Sequence, residues 1–304
     1  MSLPALTLST ALTQWSVDPL ATVAAAAVGG GYLLAARGSR VRLTSRVTFV
    51  CGTVLWWLTC NSFVATYADT LFWVRALQVL LLLTIVPFLL AVGRPITALA
   101  SHPGSRATIL RAGRMRWCRV ALSATATSLL FLTVPWLLYL TPWYEWVLRD
   151  DAVDLLTRLL LVVVGFLYYY SRLQIDPVPR RRHSGVSLLI TVGEAVGDGV
   201  LGVVLWQGPL IATTYYEALG RGWGPDLRTD QTIGAGVLWI VGDVLGLPLL
   251  MLLFRRLRSD DDRQARAEDR AADLIQPTGD DVIPDNAQPW FMNDPQLANR
   301  FKHR

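Results

Sequence analysis

Seven apolar stretches, separated by short polar connections, follow one another along the first 254 residues of this 304-residue chain. A helix that crosses a bilayer needs about 20 mostly apolar residues. The stretches that approach or reach this length are 19–36, 47–65, 75–92, 120–140, 152–170, 186–206 and 232–254. The pattern predicts an all-α polytopic membrane protein built as a bundle of seven transmembrane helices.

The arginines of the connections predict how this bundle is oriented. One set of alternating connections carries seventeen arginines and the opposite set carries three, namely Arg149, Arg221 and Arg228. Because positive charge accumulates on the cytoplasmic side, we expect the N-terminus outside and the C-terminus inside. Aromatic residues of the opposite set match an interfacial belt at the outer boundary: Trp143, Tyr144, Trp146, Trp206, Tyr215, Tyr216 and Trp223.

Composition agrees with a membrane body and separates a tail from it. Hydrophobic residues make up 53% of the chain and charged residues 17%, whereas soluble domains carry about 25% charged residues. Residues 259–304 hold ten acidic and six basic side chains and lack a core-forming pattern. We therefore expect a transmembrane domain over 1–258 and an acidic, largely disordered cytoplasmic tail over 259–304. The basic loops indicate a membrane body in contact with lipids rather than a protein that binds nucleic acid.

Charged residues in the outer half of the third and fifth stretches form one candidate site. A charge at membrane depth is costly unless it is paired, so it marks a functional hypothesis. Asp154 and Arg158 lie one helical turn apart, the spacing of an internal ion pair. Arg75 lies at a similar depth and can join them.

A second group of carboxylates lies in the last two stretches. Glu194 and Asp198 share a helix face within a glycine-rich run, and Asp243 lies in the seventh stretch. Two neighbouring carboxylates repel when both are ionised, so one should be protonated or paired with a cation. The group predicts either a cation or proton site between the two helices, or hydrogen bonds that hold the bundle together.

Signals for a metal centre or an enzyme are absent from the sequence. The three histidines, His102, His183 and His303, fall in predicted cytoplasmic loops or the tail. Cys51 and Cys60 are nine residues apart and should face opposite sides of their helix. There is no P-loop, nucleophile elbow, zinc-protease motif or dinucleotide fingerprint. We predict no catalytic residue, no metal ligand and no resident cofactor.

Several short motifs follow one another in order along the seven stretches, from about residue 15 to residue 258. They are Trp15-Ser16-Val17-Asp18-Pro19, Tyr67-Ala68-Asp69-Thr70-Leu71-Phe72, Gln78, Gly93-Arg94-Pro95, Asp176-Pro177 and Asp230-Gln231, followed by Gly236, Trp239 and Gly242. Together they resemble the seven-helix cytochrome c oxidase assembly factors of the CtaG type. The resemblance implies a role in the maturation of haem-copper terminal oxidases of the respiratory chain in a bacterial plasma membrane, with copper handled at the outer face.

The chain departs from the family where copper ligands are expected. The family carries a His-Met-x-Gln-His run in its third helix, and here that run is Arg75-Ala76-Leu77-Gln78-Val79. A histidine pair of the fifth helix reads here as Asp154 and Arg158, and a methionine of the seventh helix reads as Leu238. Copper prefers imidazole and sulfur ligands. We therefore expect the fold to be kept, the copper site to be lost, and Asp154 to lie between two guanidinium groups in its place.

The leading hypothesis is a non-enzymatic assembly or accessory factor that contacts terminal oxidase subunits or other respiratory-chain membrane proteins. A cation or proton transporter that uses Glu194, Asp198 and Asp243 is the alternative, and copper handling by other ligands is a third. Because Asp154 is expected to lie between Arg75 and Arg158, Asp154→Ala should be the most harmful change, since it would leave two arginines unpaired, and Arg75→Ala should be less harmful.

Overall fold

A computed structural model gives the fold, and its regular structure is helical throughout the described residues. These residues are 3–39, 41–101, 122–173 and 184–242, with isolated positions between 104 and 120, Val244 and Met251; from 184 to 195 only the backbone is described, apart from Gly193. The predicted tail, Asp243, Cys118 and all three histidines lie outside them.

The described residues include twelve helices, numbered in chain order. They are α1 (Leu8–Thr13), α2 (Pro19–Ala36), α3 (Leu43–Asn61), α4 (Phe63–Ala68), α5 (Phe72–Val92), α6 (Pro95–Leu99), α7 (Ala124–Leu140), α8 (Trp143–Arg149), α9 (Asp151–Leu173), α10 (Ser184–Gln207), α11 (Thr213–Ala218) and α12 (Leu227–Gly236), the last continued by a π-helical turn over Val237–Val241.

Local capping explains several of these boundaries. Asp18 caps α2 by accepting the backbone N–H groups of Leu20 and Ala21, and Pro19 takes the first helical position, where its missing N–H is harmless. Ser62 follows the last residue of α3 and caps α4 through the N–H of Val64. The predicted stretch 47–65 is therefore divided at Ser62.

The central element of the described fold is α5. Within its most apolar stretch 72% of the residues are buried, against 28% for α2 and 39% for α9. It packs against α3, α4, α9 and α12, while α2 packs on α3, and α7 packs on α9 and α10.

A π-helical turn over Leu81–Ile85 interrupts α5 and sets how closely α9 approaches it. Pro87 has no N–H to donate to the carbonyl of Leu83, four residues earlier, and prolines disturb a helix at this point. Gly165 of α9 lies against that carbonyl, and a β-carbon at this position would be 2.1 Å from the oxygen. Only glycine permits this contact between the two helices.

Three described helices are long and apolar enough to cross a membrane: α2, α5 and α9. The number becomes four if α7 and α8 form a single span, although the chain bends by 72° between them. The long helices α2, α3, α5, α7, α9 and α10 overlap the apolar stretches read from the sequence, whereas the short helices α1, α6, α8 and α11 lie outside them. The number of seven spans and the direction of the chain across the membrane stay predictions.

Candidate functional site

The guanidinium group of Arg75 lies at the centre of a buried charge cluster near the start of α5. Arg75 is 3% exposed. Its Nη1 donates to Oδ1 of Asp154 over 2.6 Å and to Oε1 of Gln78, on the same helix face, over 2.9 Å. Its Nη2 pairs with the carboxylate of Asp69. A buried guanidinium is stable only when its donors are matched in this way.

Arg158 extends the cluster from α9 to the start of α2. Its Nη2 lies 2.9 Å from Oδ2 of Asp18 and its Nε lies 3.0 Å from Oδ2 of Asp154. Asp154 therefore lies between two guanidinium groups, and α9 begins where the carboxylate of Asp150 caps Ala152 and Val153. We call Asp18, Asp69, Arg75, Asp154 and Arg158 the charge cluster; it holds three carboxylates and two guanidinium groups.

The sequence predicted that Arg75, Asp154 and Arg158 meet, and the structure brings them together. It did not predict that Asp18 and Asp69 join them, although both were noted as motif residues. Both carboxylates belong to helix boundaries, and the depth of a loop residue cannot be read from an apolar stretch. Consequently each arginine has two carboxylate partners rather than one.

Uncharged groups hold the cluster in position from the side of α3. Gln78 donates from Nε2 to the carbonyl of Thr59 over 3.3 Å. Asn61 accepts the backbone N–H of Asp18 over 2.7 Å. Cys60 is buried beside Arg158, whereas Cys51 is exposed, as their spacing on one helix requires.

A cavity of about 10 Å³ lies within the cluster, which is room for about one water molecule. It is lined by Arg75, Gln78, Val79, Asp154 and Arg158, together with Tyr144, Thr157 and apolar residues of α5, α7, α8 and α9. The Nε groups of both arginines are buried and find no well-directed hydrogen-bond acceptor in the described part of the chain. The site reaches the surface through Asp69, whose side chain is 56% exposed.

The residues at this cavity do not fit the copper ion that the family resemblance implies. The four positions at which the resemblance places histidines are Arg75, Val79, Asp154 and Arg158, and all four line the cavity. Two permanent cations, a valine and one carboxylate offer neither imidazole nor sulfur to a copper ion. Nor is any group of three or more His, Cys, Asp or Glu side chains placed to hold a metal within the described ranges.

Three buried tyrosines lie beside Arg75, and the sequence did not indicate that they belong to the site. Tyr144 and Tyr216 share a hydrogen bond of 2.8 Å between their hydroxyl groups, and Tyr139 packs against Tyr144 with ring centroids 5.3 Å apart. Assigning Tyr144 and Tyr216 to an interfacial belt was wrong, because both are buried; Trp146 and Trp206 of the same set are exposed. No signal in the sequence distinguishes a tyrosine at a helix boundary that turns inward from one that turns outward.

Asp230 supplies the missing cap of α5 from another helix. Its Oδ1 accepts the backbone N–H of Trp73 over 3.0 Å, and Oδ2 lies 3.2 Å from Nη2 of Arg221. Asp230 is 1% exposed. The exposed Asp226 caps the start of α12, and hydrogen bonds from Thr229 lower the pKa of its carboxyl group. Arg221, read only as a loop charge in the sequence, therefore belongs to a buried pair.

The neighbouring motif residue Gln231 fixes the connection between α10 and α11. Its amide Nε2 donates to the carbonyls of Leu205 and Pro209 over 2.8 and 3.0 Å, and its Oε1 accepts the N–H of Ile211 over 2.9 Å.

Two further motif residues, Trp239 and Tyr67, make packing contacts away from the charge cluster. Trp239 lies against Gly199 and Gly202 of α10. Tyr67 is fully buried in α4.

The carboxylates assigned to a cation or proton site are only partly within the described residues. Asp198 is half-buried on α10, while the side chain of Glu194 and the whole of Asp243 lie outside the described set. The transporter alternative stays a prediction.

Comparison with known proteins identifies the family. Uncharacterized proteins of Mycobacterium bovis and Mycobacterium tuberculosis are each 24% identical to this chain over 282 residues, and one of Mycobacterium leprae is 24% identical over 279 residues. The alignments cover 86–88% of this chain but only 42–43% of those proteins, so the chain spans less than half the length of these relatives. No solved structure matches. The model of the cytochrome c oxidase caa3 assembly factor family matches residues 28–260, and the chain therefore belongs to that family.

Proposed function

We propose that this chain is a non-enzymatic assembly or accessory factor for a haem-copper cytochrome c oxidase and that it acts by contacting oxidase subunits within the membrane. Membership of the caa3 assembly factor family is the observation that carries this proposal. The charge cluster offers paired, buried charges and no activated nucleophile or metal ligand set, which favours a binding role over a chemical one.

The proposal includes the loss of the copper site. All four positions at which the resemblance places imidazoles surround one cavity, so the replacements act on a single site. Arginine and aspartate side chains can fill the polar space between two helices and fix their register without a metal. An assembly role that depends on protein contacts is compatible with such a replacement, whereas copper delivery by these residues is not.

The proposed topology places the charge cluster at the outer side of a bacterial plasma membrane. Seven spans, an outer N-terminus and a cytoplasmic acidic tail follow from the apolar stretches and the arginine distribution. In this arrangement Asp69, the exposed member of the cluster, faces the compartment in which the outer domains of oxidase subunits lie.

Co-purification from the native host tests the assignment. An affinity-tagged chain, expressed at its natural level and extracted in mild detergent, should enrich oxidase subunits in mass spectrometry relative to an untagged strain. Membranes of a deletion strain should contain less assembled oxidase, measured by haem absorbance, and the intact gene should restore it. Normal oxidase levels in the deletion strain, together with no enrichment of oxidase subunits, would overturn the proposal.

A pair of matched variants asks whether the charge cluster serves this role. Arg75→Ala removes the central cation of the cluster, whereas Arg149→Ala removes an exposed arginine that pairs with Glu145 on the same short helix. We expect Arg75→Ala to fail in restoring the oxidase and Arg149→Ala to restore it at equal protein abundance.

A further inference from the structure

The N-terminal segment of the chain lies on a small apolar cluster that is separate from the main core. This cluster consists of buried residues of α4 and the start of α5: Val64, Tyr67, Ala68, Leu71 and Val74. Leu3 and Leu6 pack against it, together with Trp223 from the loop before α12. The segment between these two leucines has no regular secondary structure.

Two aromatic side chains of the body hold this segment by its backbone. Trp223 donates from Nε1 to the carbonyl of Leu3 over 2.8 Å, and the hydroxyl group of Tyr67 donates to the carbonyl of Pro4 over 3.0 Å. The two rings meet edge to face, with centroids 5.9 Å apart. Because both acceptors are main-chain carbonyls, the bonds depend on an extended backbone rather than on particular side chains.

The proline between the two bonds matches this form of recognition. Pro4 restricts the preceding residue to an extended conformation and lowers the entropy lost on docking. Aromatic grooves that bind proline-containing extended segments use this combination of ring surface and side-chain donors. The segment is otherwise loosely held: Pro4 and Ala5 are exposed, and α1, which follows, has no buried residue.

The donors, in contrast, are built into the body of the protein. Tyr67 is fully buried, and the guanidinium group of Arg221 lies 5.6 Å from the ring centroid of Trp223. Arg221 is itself fixed by Asp230 and by the carbonyl of Pro225, to which it donates over 2.7 Å. Gly224 completes this loop with a φ of 79°, a conformation that glycine adopts without strain.

We infer that Tyr67 and Trp223 form a binding clamp for an extended, apolar, proline-containing segment of another protein, and that the chain's own Leu3–Pro4 occupies the clamp until such a segment displaces it. A rigid pair of donors facing a lightly held occupant is the arrangement that exchange requires. The inference rests on the contacts of residues 3–6 and holds whether or not the partner is an oxidase subunit.

Fluorescence of the 304-residue chain tests the exchange. A bimane label on Ala5→Cys, in a chain in which Cys51 and Cys118 are serine, is quenched by contact with Trp223 while the segment is docked. A synthetic peptide of residues 3–9 should raise the fluorescence severalfold and saturably. The same peptide with serine for each leucine and glycine for its proline should leave the fluorescence unchanged.

Two variants make the outcome decisive. Trp223→Phe removes the quencher and should give bright fluorescence that no peptide alters, which identifies the source of the quenching. Tyr67→Phe keeps the quencher but removes one bond to the segment, and should be brighter than the parent before peptide is added. Quenching that survives Trp223→Phe would overturn the inference. So would a label that stays quenched at saturating peptide, because residues 3–6 would then be permanently bound to the body of the protein.

Discussion

Arg75 shows how a permanent charge is accommodated in the interior of this bundle. Moving a guanidinium out of water is expensive, and the expense is offset only by partners that match its geometry. Arg75 has Asp69 on one amino group and both Asp154 and Gln78 on the other. Arg158 is divided in a similar way between Asp18 and Asp154. The cluster is therefore a chain of alternating charges rather than an isolated pair.

This arrangement changes which substitution should be most harmful. The sequence alone led us to expect that Asp154→Ala would be the most harmful change. With Asp154 as the single carboxylate between Arg75 and Arg158, its removal would leave both arginines unpaired. With Asp18 and Asp69 present, each arginine keeps a carboxylate when Asp154 is removed. Removal of Arg75 instead leaves Asp69 and Asp154 close together with a single remaining guanidinium. The premise that Asp154 is the one carboxylate of the cluster was wrong, and the expected order of the substitutions changes with it.

We now expect Arg75→Ala to lower the free energy of unfolding most, by about 3–5 kcal/mol, the usual cost of leaving a buried charge without its partner. Asp154→Ala should cost about 1.5–3 kcal/mol, the range for losing a charged hydrogen bond. The exposed pair of Arg149 and Glu145 provides the control, since Arg149→Ala should cost about 0–1 kcal/mol. Denaturant titration in detergent measures all three.

A double-mutant cycle for Arg75 and Asp154 checks the direct contact of 2.6 Å between them. Contacting residues show coupling energies of about 0.5–3 kcal/mol. Coupling within experimental error of zero, or a larger loss for Asp154→Ala than for Arg75→Ala, would contradict the described network.

At the scale of helices, the contact between α5 and α9 depends on one glycine and one proline. Gly165→Ala would place a methyl group 2.1 Å from the carbonyl oxygen of Leu83 and 2.6 Å from Pro87. The helices must separate, and overpacking of this kind costs about 1–3 kcal/mol or more. Gly30→Ala on α2 is the matched control, because nothing lies within 4 Å of its added methyl group.

The control should be neutral or stabilising by up to about 1 kcal/mol, since alanine favours a helix over glycine. Thermal unfolding followed by circular dichroism distinguishes the two variants. Equal midpoints for Gly165→Ala and Gly30→Ala would show that α9 does not approach the π-helical turn of α5.

Gln231 offers a second test at this scale, because one side chain fixes a connection between two helices. Gln231→Glu replaces the Nε2 donor with a carboxylate oxygen, which can only accept. The carbonyl groups of Leu205 and Pro209 then lose their hydrogen-bond donor. We expect a loss of about 1–3 kcal/mol, as for other buried groups left unsatisfied. Hydrogen exchange of residues 208–212 should increase in this variant, and unchanged protection there would contradict the assigned role.

The positions of the long helices were predictable, and the interruptions and short helices between them were not. Apolar stretches gave residues 19–36 for α2, as found, because membrane length and apolar composition determine such a helix. The break at Ser62 and the π-helical turn at Leu81–Ile85 lie inside stretches that are apolar enough overall to be read as continuous spans, so the apolar pattern did not indicate them. The cap that Asp230 provides for α5 joins residues 157 positions apart, which no local pattern reveals.

For the whole molecule, the direction of the chain across the membrane is open to a direct test. Cysteines placed at Arg111 and Arg181 should react only after a permeant reagent or cell lysis, because both lie in arginine-rich connections. Cysteines at Trp143 and Gly222 should react with an impermeant reagent in intact cells. Labelling of position 181 from outside would reverse the topology and place the charge cluster on the cytoplasmic side.

Copper content tests the reading of the whole molecule as a family member without its metal site. The purified chain, washed with a chelator, should contain far less than one copper per molecule by elemental analysis, because Arg75, Val79, Asp154 and Arg158 surround the cavity with two permanent cations. Arg75→His combined with Val79→His should not restore binding, since Asp154 and Arg158 still occupy the other side. Adding Asp154→His and Arg158→His supplies imidazoles from both helices and should restore it. Stoichiometric copper in the unmodified chain would show that other ligands serve the metal, and the replaced-site explanation would then be wrong.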